Sequence, residues 1–157
     1  MKEFILFLHP MLAVFGVITA VWVMVEGLNA SKKNLKRINT ASLLTALFMV
    51  LTWITSGYWY IAYYAADKAL ILKGPWAFAH NLLMESKEHV FFAILILSLL
   101  LPIISYKNNL ETNKSARTLI LGVAILIVLS SLALEGAGAT ISYAVRMSLL
   151  GVPAGAP

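Results

Sequence analysis

The chain has 157 residues, 61% of them hydrophobic and 12% charged, and contains no cysteine. Its mean hydropathy is +0.85, whereas a soluble domain carries about 25% charge. These values exclude an ordinary soluble domain. The lack of cysteine excludes disulfides, thiolate metal sites, iron–sulfur clusters and covalent haem attachment within this chain.

Length and composition predict one integral membrane domain over residues 1–157. The net charge is +5, but seven basic residues crowd into two short segments. That pattern suits topology determination and not nucleic-acid binding.

The chain opens MKEFILFLHPML, a basic residue ahead of an apolar run that has no small-residue cleavage site. It reads as a retained helix spanning about residues 4–25. One stripe of it carries His9, Ala13, Gly16 and Ala20, and Pro10 is placed to kink it. The loop NASKKNLKRINT supplies Lys32, Lys33, Lys36 and Arg37. A second span follows over about 41–63, with Ser56 and Gly57 one turn below Tyr60. Its end, GYWYIAYY, supplies Trp59, Tyr60, Tyr63 and Tyr64 for an interfacial aromatic belt.

A loop at Asp67–Trp76 leads to Pro75, which suits a helix start. His80 then falls on an extension outside the bilayer, facing surface or partner. The stretch MESKEHVFF opens the third span, about 85–105, which reaches full length only if it begins near Glu85. Glu85, Lys87 and Glu88 read as its wet shoulder and His89 as its first buried residue. The loop YKNNLETNKSART carries Lys107, Lys114 and Arg117 against Glu111. The fourth span, about 119–143, carries Ser131, Glu135, Gly138, Ala139 and Ser142, and the tail GVPAGAP reads as irregular.

The sequence therefore predicts an all-α, four-helix up-down bundle. By the positive-inside rule the two basic loops are cytoplasmic and both termini extracytoplasmic, in what reads as a prokaryotic plasma membrane. At about 1.5 Å per residue, His9 lies roughly 8 Å and His89 roughly 6 Å below the outer interface. Glu135 arrives close to the same level. Ionisable residues in a bilayer normally face the bundle interior and mark function.

Two histidines at one depth on different helices predict a b-type haem, with His9 and His89 as axial ligands near the outer face. Gly16, Gly57, Tyr60, Gly138 and the small residues around them would line its slot. Glu135 would orient a ligand N–H, and Lys87, Lys68, Lys73 or Arg146 would pair with the propionates.

On the four helices, on His9 with His89, and on glycines such as Gly16 and Gly57, the chain resembles the small four-helix integral membrane b-type cytochromes. That resemblance implies electron transfer between a membrane donor such as quinol and an acceptor outside, as a subunit of a membrane oxidoreductase. With no histidine in the inner half, one haem is the most the chain can hold in this way. The alternatives are a non-haem iron, copper or zinc site using His9, His89 and carboxylates from Glu85, Glu88 or Glu135, a structural subunit of a larger membrane complex, and a proton pathway through His9, Glu135 and Glu88. Hydrolase and phosphate-binding motifs do not occur.

Overall fold

The computed structural model describes residues 2–151 as four long helices: α1 (Lys2–Leu28), α2 (Leu35–Lys73), α3 (Glu85–Lys107) and α4 (Lys114–Leu149). A π-helical turn, Ala79–Met84, runs directly into α3. All four helices are long and apolar enough to cross a membrane. The end of the tail, residues 152–157, lies outside the described residues.

The helices form around an apolar stripe with three- and four-residue spacing. On α3 that stripe is Ile94, Ser98, Leu101 and Ser105, all buried, with the half-buried Phe91 one turn above. On α4 it is Ile120, Val123, Ala124, Ile127, Ser131 and Leu134. α1 and α3 each pack against both α2 and α4, while α1 and α3 do not touch one another. They are the separated diagonal of a four-helix square, and α2 meets α4 across the other diagonal.

The lower part of the square is closed. A Cβ at Gly16 would lie 2.8 Å from Cε of Met49, so the missing side chain on α1 is filled by a fully buried methionine from α2. Gly16 therefore packs against Met49 and does not line the cavity described below. Thr45 Oγ1 donates to Thr19 Oγ1 at 3.1 Å, and both hydroxyls also bond backbone carbonyls one turn earlier. Such pairing removes the cost of a buried polar group.

The connections are tied by side chains. Asn34 Nδ2 donates to the carbonyl and carboxylate of Glu26 at 3.0 and 2.9 Å, while its Oδ1 accepts from Ser31 N at 2.7 Å. Arg37 adds an ion pair to Glu26 at 3.5 Å. Asn113 caps α4 by accepting from Ala116 N at 3.0 Å.

Helix lengths depart from the expected spans. α2 runs 39 residues, about 58 Å, against a hydrocarbon thickness of about 30 Å. The stretch read as an outer loop at Asp67–Trp76 is mostly helix, with turns only from Gly74. α4 likewise continues to Leu149. Pro10 sits inside α1 without interrupting it. Pro75 lies in a turn and opens no helix.

The extended ends bury a second core of Tyr64, Ile71, Ala79, Met84, Ile141 and Ala144, flanked by Trp59, Tyr60 and Trp76. Lys2 joins this end through an ion pair to Asp67 at 3.3 Å. Propensity and periodicity do not stop at the length of a membrane span; helices continue while they have an apolar partner face.

Gly16→Leu should clash with Met49 and lower stability by about 1–3 kcal/mol. Thermal unfolding in detergent should show the loss, and Met49→Ala in the same chain should recover part of it.

Candidate functional site

Above Met49 the square opens. Between the separated helices lies a cavity of about 570 Å³ reached by all four helices. α1 contributes His9 and Pro10, and α2 contributes Trp53, Ser56, Gly57, Trp59 and Tyr60. Met84 and α3 contribute Lys87, Glu88, Phe91 and Phe92; α4 contributes Glu135, Gly138, Ala139 and Ser142. Trp53 meets Phe92 edge-on with ring centroids 6.5 Å apart, so one wall is a rigid aromatic corner. Ile61, 85% exposed, stands at the rim, which makes the cavity continuous with the lateral surface of the bundle.

Five of the residues expected to hold a ligand meet here: His9, Gly57, Tyr60, Glu135 and Gly138. His9 is half-buried with the Thr52 backbone beside its ring. Its Nδ1 is buried without a hydrogen-bond partner among the described residues. Gly57 has no other residue within 4 Å of the position its Cβ would take, so its contribution is open space.

His89 does not join them. It is exposed, its Nδ1 lies 2.7 Å from the carbonyl oxygen of Glu85, and it does not line the cavity. On α3 the inward stripe of Phe91, Ile94 and Ser98 extends upward to Lys87 and Met84. Position 89, two residues from Lys87, is turned about 200° from it. Of the two histidines expected to converge, His9 lines the cavity and His89 does not. Arg146 is exposed and also outside the cavity. Among the described residues no three His, Asp or Glu side chains gather as a metal site, so the carboxylate set imagined around His9 and His89 is not assembled.

Lys87, read from sequence as part of a solvated shoulder, points inward. It is half-buried and close enough to act electrostatically on His9 across the diagonal and on Glu135 of α4. A Cβ at Gly138 would lie 2.8 Å from its Nζ, so that glycine makes room for the ammonium. The face spacing Met84, Lys87, Phe91 was the signal available for this.

His80 is the second departure. It is buried, not exposed on an extension. Its Nδ1 lies 2.9 Å from the hydroxyl of Tyr64, and its Nε2 lies 3.8 Å from Glu85, whose side chain is 52% exposed. Tyr64 stacks on Tyr60 with centroids 5.1 Å apart and is itself buried. Of the expected aromatic belt, Tyr64 is thus core, while Trp59 and Tyr60 face the cavity.

Comparison with protein-family models, with curated proteins and with solved structures gives no match for the chain.

Tyr64→Phe should leave the buried His80 nitrogen unsatisfied and cost about 1–3 kcal/mol. Chemical unfolding in mixed micelles should report it, and the double variant Tyr64→Phe with His80→Leu should be less destabilised than the single change.

Proposed function

We propose that the chain is a membrane-embedded subunit of an electron-transfer assembly, and that its outer-half cavity binds the ring of a lipid-dissolved quinol or quinone. The observation that carries this reading is the mixed polar set held against aromatic walls: His9, Lys87, Glu88 and Glu135 around one space.

Oxidised and reduced quinone rings differ in what they offer. A quinone presents two carbonyl acceptors, which suit the N–H of His9 and the ammonium of Lys87. A quinol presents two hydroxyl donors, which suit the carboxylates of Glu88 and Glu135. A site that must hold both forms needs donors and acceptors together, and ordinary apolar packing needs neither. Trp53, Phe91 and Phe92 supply flat faces for the ring. The lateral opening beside Ile61 supplies a route from lipid.

Oxidation of the bound quinol would release two protons and two electrons. The carboxylates would accept the protons. With few residues outside the helices, the electrons pass to an acceptor on a partner subunit. In this reading the basic loops face the cytoplasm and the cavity lies near the outer face.

A b-type haem is the second reading, favoured by the cavity volume and by Lys87, which would pair with a propionate. His9 alone would then hold the iron, and the haem would supply one-electron transfer.

Trp53 and Trp59 line the cavity, so their fluorescence reports its occupancy. A short-chain quinone added to the protein in lipid nanodiscs should quench saturably at about one equivalent. His9→Phe should weaken binding by about 1–3 kcal/mol, the cost of a lost hydrogen-bond partner. A purely linear quench, identical in His9→Phe, contradicts the reading. A purified chain that carries a Soret band lost in His9→Ala and kept in His89→Ala would instead select the haem.

A further inference from the structure

Among the described residues, Lys87 is the one cation that lines this cavity. Lys2 and Arg37 each have a carboxylate within 3.5 Å. Among the described residues Lys87 has none within the 4.0 Å of an ion pair, although Glu135 of α4 and Glu88 of its own helix line the same space. Its Nζ instead occupies the space that a side chain at Gly138 would take, in the cavity that His9 of α1 also lines. A lysine near a membrane interface ordinarily extends its ammonium outward to water. This one is aimed inward, where Trp53, Phe91 and Phe92 keep the local dielectric low.

An ammonium is a compact point charge, and its attraction to an anion grows as the dielectric falls. Holding a charge in a partly apolar space, with no carboxylate in ion-pair contact, is unfavourable. A ligand that supplies a negative oxygen at this point relieves that cost, whereas a neutral carbonyl supplies a hydrogen bond alone.

We infer that Lys87 is the specificity-determining contact of the cavity, selecting rings that present an ionised ring oxygen, as hydroxyquinones do, over their uncharged parents. This rests on the ring-binding reading above and deepens it. Gly138 gives the ammonium its place beside α4, and Glu135 lines the same cavity without an ion-pair contact to it. Glu88 and Glu135 oppose an anion elsewhere in the cavity, so the preference is confined to the ring edge that faces Nζ.

The test compares 1,4-naphthoquinone with 2-hydroxy-1,4-naphthoquinone, which is ionised at neutral pH, by calorimetric titration of the full chain in nanodiscs of neutral lipid. The hydroxyquinone should bind at least tenfold more tightly to the wild type, a difference of about 1.4 kcal/mol. Lys87→Gln keeps a donor of similar reach but removes the charge; it should bind both rings equally. Lys87→Arg should retain the preference for the ionised ring.

Equal affinity of the two rings for the wild type, or a preference that survives Lys87→Gln, overturns the inference while leaving ring binding intact. Failure of both rings to bind the wild type overturns the ring-binding reading and the inference with it.

Discussion

Everything distinctive in this molecule follows from one constraint: α1 and α3 are held apart on the diagonal of an apolar helical square. In the lower half Met49 fills the gap by occupying the space left at Gly16, and the core closes around it. In the upper half no comparable side chain crosses, and the gap becomes a cavity. Charged and polar groups can then point inward without clashing, and each finds itself among apolar walls where its interactions are strong. The same spacing that leaves room for a ligand thus raises the electrostatic cost of leaving the room unused.

The extended helix ends act on this cavity from above. Tyr64, with its hydroxyl on His80 and its ring on Tyr60, links the second core to the cavity wall. Lys2 and Asp67 fasten α1 to the same end. The upper rim is therefore braced by packed helices and not by loops, which keeps the diagonal open at a fixed width. Rigid elements hold a site more accurately than loops do.

Much of the fold was legible because hydropathy and length are blunt signals that survive any detail of packing. Four apolar runs gave four helices, although the third helical stretch runs from Ala79, with a π-helical turn ahead of Glu85. The helix ends beyond the cavity were not legible: Asp67, Lys68 and Lys73 look like loop residues, yet α2 continues through them because Ile71 and Tyr64 have a buried partner face.

For the site, which helices contribute was readable and direction was not. His9, Gly57, Tyr60, Glu135 and Gly138 share the cavity. His89 sits on the opposite side of α3 from Lys87, since residues two apart on a helix do not face the same way. Lys87 was discounted because charge beside charge resembles a solvated end. The face running through Met84, Lys87 and Phe91 carried the information that composition hid, and it also explains why the pattern that suggested a two-histidine haem leads to a different arrangement.

The central claim is that Lys87, and not His89, faces His9 across the gap. A chain without cysteine allows a direct measurement by paired substitution. His9→Cys with Lys87→Cys should be joined efficiently by a short bifunctional maleimide within the folded protein, while His9→Cys with His89→Cys should not. Efficient joining of the second pair and failure of the first would contradict the account.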